Sequence, residues 1–157
     1  MGSGFTVTGP LRTASGSVVC LFSGDRNSDD DFVRYLVAVD YLDKTAAGRE
    51  DCVVITVVDA GNPPPDAKWR QKIGERSKTL RTHAIAALVS SSPVIRGVMT
   101  VLNWLAPDRF REQVVVSTFD DAVRWIDARR PGRTVLLRRL LADARAEAQT
   151  RAPGRTG

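Results

Sequence analysis

Ser90, Ser91 and Ser92 stand in a row between two apolar runs, with Pro93 directly after them and Arg96 close behind. Serine hydroxyls, the unpaired N–H groups of a helix start and a guanidinium are the parts of an anion site. The same residues also make an ordinary helix start, with Ser91 or Ser92 as N-cap and Pro93 at the first helical position. The two uses are compatible, because an anion would take the same free N–H groups. Ser90, Ser91, Ser92 and Arg96 are therefore the candidate ligand-binding or anion-binding residues.

Other chemistries find fewer parts. His83 is the only histidine. A Ser-His-Asp or Cys-His set would have to recruit it, and no G-x-S-x-G elbow is present. Its place, where a helix hands over to a strand, suits a boundary histidine. Asp29, Asp30 and Asp31 are adjacent, so on a helix they splay around the axis and do not converge on a cation. Asp25, Asp59 and Ser90 follow strand-like runs, as the acids and hydroxyl of a phosphoacceptor receiver would. The lysine a receiver needs after its last strand is missing; Thr118 and two acids stand there. The turn at Gly24 is too short for a phosphate loop and lacks its lysine. No catalytic residue, metal or cofactor is expected. Cys20 and Cys52 sit in or beside β-type runs and read as buried free thiols. They point to a reducing compartment, and the cytoplasm is the expected location.

The elements that would position these residues follow from periodicity. Hydrophobic residues make up 43% of the 157, which suits one ordinary globular domain. No apolar run reaches the roughly 18 residues of a membrane span. "FTVTG" before Pro10 predicts a short edge strand, and "SVVCLFSG" over 17–24 a stronger one. "CVVITVVDAG" over 52–61 is continuous and β-branched, as a strand buried on both faces reads. "AIAALVS" (84–90) and "QVVVST" (113–118) predict two more. Between them lie helical patterns. One follows Ser28 as N-cap with three aspartates in its first turn, and ends at Gly48. One starts near Pro65 or Asp66, since prolines cannot lie inside a helix. One covers 94–106. One is capped by Thr118, with Asp121 in the reciprocal position. After Pro131-Gly132 a last amphipathic helix carries Val135, Leu136, Leu140 and Leu141. The order β-β-α-β-α-β-α-β-α plus a final helix predicts a single α/β domain. Its mostly parallel mixed sheet would have about five strands, with an antiparallel edge from the first.

Charge divides the chain. Residues 1–128 hold 15 basic against 16 acidic residues, whereas 129–157 hold eight arginines against Asp143 and Glu147. The expected division is an α/β domain over 1–130 and a basic C-terminal helix and tail over 131–157. Such a tail could meet nucleic acid, an anionic membrane or an acidic partner. It has no aromatic interleaving and no reader motif, and a solvated terminal helix explains it equally. The helix over 94–106 carries a different signal. Val94, Ile95, Val98, Met99, Val101, Leu102, Trp104 and Leu105 cover more than the one stripe a sheet requires. The surplus must meet the C-terminal helix, a second subunit, a partner protein or an apolar ligand. Val98, Met99, Leu102 and Trp104 are the candidate interaction surface, and a homodimer is the first expectation.

Taken together, several stretches resemble the STAS superfamily, the domain of anti-sigma-factor antagonists and of sulfate-transporter tails. The closest pattern is that of the SpoIIAA-like bacterial proteins. "VVCLFSGDRNSDDDFVRYLVAVD" resembles their second strand, glycine turn and acidic helix start. "CVVITVVDAG" is similar to their central strand ending in Asp. "VVVSTFDDAVRWI" resembles their last strand and the helix near the end. The resemblance spans residues 5–130. Members that switch a sigma factor carry a phosphorylatable serine after the central strand. Here that place reads Asp59-Ala60-Gly61-Asn62-Pro63-Pro64-Pro65, without a hydroxyl. The resemblance thus implies the fold and a regulatory, protein-binding role, but not the phosphoserine switch. The expected function is a non-catalytic STAS-like interaction or regulatory module that senses an anionic or apolar ligand. The alternative is a small enzyme or carrier acting on an anionic or lipid-like substrate.

Overall fold

The computed structural model describes residues 3–9, 16–45, 52–79, 84–105 and 112–150, with backbone only at 3, 45, 77 and 101–105. Ten elements follow one another: β1 (Ser3–Thr8), β2 (Ser17–Gly24), α1 (Asp29–Thr45), β3 (Val53–Val58), α2 (Ala67–Thr79), β4 (Ile85–Val89), α3 (Pro93–Leu105), β5 (Glu112–Val116), α4 (Phe119–Arg129) and α5 (Thr134–Thr150). The five strands form one sheet in the order β1-β2-β3-β4-β5. β1 runs antiparallel to β2, and every later neighbour is parallel. This is the α/β class and element order that the periodicity predicts. Gly48 and His83 lie outside the described residues.

A strand sequence that never leaves its neighbour has one geometric consequence. Each parallel connection is right-handed by the usual chirality, so α1, α2 and α3 must all lie on the same face. They do. Val18, Cys20 and Phe22 of β2 point to that face and pack with Phe32 and Leu42 of α1, Trp69 and Ile73 of α2, and Ile95 of α3. The alternate residues Val19 and Leu21 point the other way, as the two-residue period of a strand requires. They join Ile55, Ile85 and Val89 under Ala122, Val123 and Ile126 of α4 and Leu137, Leu140 and Ala144 of α5. The molecule is therefore three layers, helix on sheet on helix, with two cores. β2, β3 and β4 are covered on both sides, which is why their sequences are apolar without alternation.

Ser28 and Thr118 cap helices as predicted, although the Asp121 carboxylate turns to Arg124 and not back to the Thr118 N–H. Ser28 and Asp31 form a reciprocal cap. The Ser28 hydroxyl accepts the Asp31 N–H at 3.2 Å, and the Asp31 carboxylate accepts the Ser28 N–H at 2.9 Å. Asp66 accepts the Trp69 N–H at 3.0 Å, so α2 begins just after the last proline. Thr118 accepts the Asp121 N–H at 3.1 Å. β1 ends at Gly9, whose φ of +130° and whose approach to Ser17 leave no room for a side chain. A Cβ there would stand 2.0 Å from the Ser17 carbonyl oxygen.

α5 is a layer of the domain. Although Pro131-Gly132 and the charge split set 131–157 apart in sequence, Leu137 and Ala144 are fully buried in the second core. The Thr8 hydroxyl of β1 donates to the Leu140 carbonyl at 2.8 Å. At least three of the eight arginines of 129–157 pair with acids. Arg129 pairs with Glu112 at 3.1 Å, Arg138 with Asp120 at 2.8 Å, and Arg145 with both oxygens of Asp59 at 2.9 and 3.0 Å. Among the described residues no helix is long and apolar enough to cross a membrane.

Candidate functional site

All four parallel strands deliver their carboxyl ends to one edge. A cleft of about 80 Å³ opens there, on the α1–α2–α3 face. Its floor is Phe22 of β2, Thr56 and Val58 of β3, and Leu88 of β4. Phe32 and Tyr35 of α1, Ile73 of α2, and Ile95, Val98 and Met99 of α3 form its roof. The loops after β2 and β3 close the end with Asn27, Asn62, Pro63 and Pro65.

Two asparagines fix that rim. The Asn27 amide donates to the Asn62 side-chain oxygen at 2.8 Å, and the Asn62 amide donates back at 2.9 Å. Asn62 is buried and also donates to the carbonyls of Ser23 and Gly24 at 3.2 and 3.3 Å. Its own N–H closes a turn onto the Asp59 carbonyl at 2.9 Å. The pair ties the loop after β2 to the loop after β3. It also satisfies both side-chain amides at the cleft, whose surface is largely apolar.

An aromatic row runs beneath α1. Phe5 meets Phe22 at 5.0 Å between ring centres, Phe22 meets Phe32 at 5.9 Å, and Phe32 stacks on Trp69 at 5.2 Å. Tyr35 closes the cluster at 5.5 Å from Phe5 and 5.3 Å from Phe22. The indole N–H of Trp69 donates to Asp29 at 2.7 Å, and Lys68 reaches the same carboxylate at 3.2 Å. The Trp69 hydrogen bond first, and Lys68 second, hold the Asp29 carboxyl below its ordinary range. Arg76 bridges Asp40 and Asp43 at 2.6 and 2.9 Å. α1 and α2 are thus joined near both ends, and the two helices hold the cleft roof as one piece.

The predicted anion residues form a compact local arrangement. The Ser92 hydroxyl accepts the Ile95 N–H at 3.4 Å and caps α3. The Ser90 side chain is buried and accepts the Ser92 N–H at 3.2 Å. Arg96 turns back and donates to the Ser90 carbonyl at 2.9 Å. Ser91 is exposed. The four meet at the start of α3, one turn from Ile95 and Val98 of the cleft. Of the predicted interaction surface, Val98 and Met99 line the cleft. Leu102 and Trp104 belong to α3, but their side chains lie outside the described residues. The sequence reading did not single out Asn27, Asn62, Tyr35 or the prolines as site residues. Their one signal was two asparagines in the turns after consecutive strands.

Cys20 and Cys52 are buried free thiols. Burial pushes the Cys20 thiol up to about 12, a shift that the hydrogen bond with Thr56 only partly opposes. Cys20 is therefore protonated at neutral pH and is not a nucleophile. Among the described residues no three His, Cys, Asp or Glu side chains converge as metal ligands would. Comparison with protein-family models, with curated proteins and with solved structures finds no match to this chain.

Proposed function

We propose that the protein is a non-catalytic, STAS-like regulatory or interaction module that binds an apolar ligand in the cleft between α1, α2 and α3. The observation that carries this reading is the lining of the cleft. Besides Tyr35 and Thr56, it consists of apolar side chains and amides that bond one another, at the carboxyl ends of the strands. Such walls bind by excluding water, at about 25 cal/mol per Å² of apolar surface covered. The STAS resemblance supports the regulatory half of the reading, through the order of its strands and its acidic helix start. Association through α3 belongs to the same reading. Val94 on its outer side is 63% exposed, and a homodimer is the first candidate because two-fold dimers are the commonest oligomers.

The test is a plugged cleft. Val98→Trp places an indole against Ile95 and Met99. An apolar fluorescent dye should bind the wild type with one site per chain. It should bind the variant at least about tenfold more weakly, a change of about 1.4 kcal/mol, with the thermal midpoint little altered. Equal binding to both proteins would place the dye elsewhere and remove the reading.

A further inference from the structure

A second cavity, of about 500 Å³, lies under α1 on the same face of the sheet. That is within the usual range of small-molecule sites, about 300–1,000 Å³. Val18, Cys20 and Val54 of the sheet and Ala38 of α1 are among its walls. Tyr35 and Thr56 belong to the walls of both cavities. The two spaces therefore adjoin at Tyr35 of α1 and Thr56 of β3. The outer end of the second cavity is also marked. Among the described residues six large apolar side chains are exposed, and Val7, Val33, Val37 and Tyr41 are four of them. Val7, Val37 and Tyr41 line this cavity. Apolar side chains left in water at the mouth of an apolar hollow are a recognition feature that an apolar guest would cover. Two charged groups also line it: Arg34, which pairs with Asp31 at 2.7 Å and Asp30 at 3.2 Å, and Glu147 of α5.

We infer that the two cavities form one passage for an unbranched alkyl chain, which enters past Val7, Val37 and Tyr41 and extends past Tyr35 toward Met99. This rests on the reading of the first cleft as an apolar-ligand site. A compact guest would fill one space; a guest that spans both must pass between Tyr35 and Thr56, and a polymethylene chain is the thinnest apolar guest to do so. The chain carries the recognition, because apolar side chains mark both the mouth and the first cleft.

The composition supplies the reporters. Tyr35 and Tyr41 are the only tyrosines, and Met99 has only the N-terminal Met1 beside it. Fluorotyrosine and methyl-labelled methionine in the full chain put one magnetic-resonance signal at the mouth, one at the junction and one in the first cleft. Linear carboxylates from hexanoate to hexadecanoate are titrated below their micelle concentrations. Short chains should shift Tyr41 alone, longer ones Tyr35 as well, and the longest Met99 too. Affinity should rise about fourfold per added methylene until Met99 responds. Tyr35→Trp should stop that rise at the length that reaches the junction while the Tyr41 signal still moves. Phosphatidylcholine vesicles form a second arm. Shifts with vesicles and carboxylates assign the chain to lipid tails, and shifts with carboxylates alone assign it to free acids. Response of Met99 alone at every length would overturn the passage and leave the cleft reading standing. Response of Tyr41 alone, or none at all, would overturn both.

Discussion

Asp31 shows how much one side chain can organise. It is buried at the start of α1, where it accepts the N–H of Ser28, the guanidinium of Arg34 at 2.7 Å and the N–H of Phe5 at 3.2 Å. Burial alone would raise its pKa. The bonds from the Ser28 backbone, Arg34 and Phe5 outweigh burial and hold it below the ordinary range. A carboxyl with a depressed folded pKa contributes its stability in full above the unfolded value, about 3.9, and loses it as pH falls through the folded one. Asp31→Asn should therefore cost about 1.5–3 kcal/mol in urea denaturation at neutral pH. It should also flatten the loss of stability below about pH 4. Acid transitions of the two proteins that superpose would contradict the role. The thiols make a second expectation at this scale. A thiol reagent should leave Cys20 and Cys52 unmodified in the native protein and find two free thiols after denaturation without reductant. Finding none would mean that they are oxidised. The caps at Ser28 and Thr118 were legible in the sequence because donor and acceptor lie three residues apart. The Asn27–Asn62 pair was not, because its partners are 35 residues apart and meet only when β2 and β3 are neighbours.

The elements were more legible than the site. β-branched runs, glycine and proline punctuation and the caps are local, so strands and helices appear where the periodicity puts them. The burial of α5 is not local. Val135, Leu136, Leu140 and Leu141 read as its apolar side, yet Val135 is 82% exposed and Leu137 is buried. The face is decided by the bed that β1 and β2 provide. Leu137→Ala should cost about 2–5 kcal/mol, as emptied core positions do. Arg145→Ala removes a bidentate pair whose side chains are 44% and 29% exposed, so solvent screening limits its effect to about 1 kcal/mol or less. Chemical denaturation of both variants measures the contrast. The charge split along the chain suggests that 131–157 can be removed. The packing predicts the opposite: a chain ending at Arg130 should lose its cooperative thermal transition. If that truncated chain melts cooperatively near the wild-type midpoint, α5 is a cover that the core does not need.

At the scale of the whole molecule, sedimentation velocity across a wide concentration range tests the proposed homodimer. The wild type should move from monomer to dimer, and Leu102→Asp should give a folded monomer. A wild type that stays monomeric at every concentration would leave α3 to another partner. The strand order has a consequence of its own. Each parallel strand pairs with the one made just before it, so the sheet can grow in the order of synthesis, one β–α unit at a time. α5 breaks that economy, since its Leu140 carbonyl meets Thr8 across 132 residues. Such distant contacts are the slow ones in folding, because a long loop must close before they reward the chain. While the ribosome is still working, β1 and β2 hold Val19 and Leu21 toward a side that has no helix on it. Until α5 emerges, the nascent domain therefore has an open apolar flank. That interval, and not the finished fold, is when this protein would most need a chaperone.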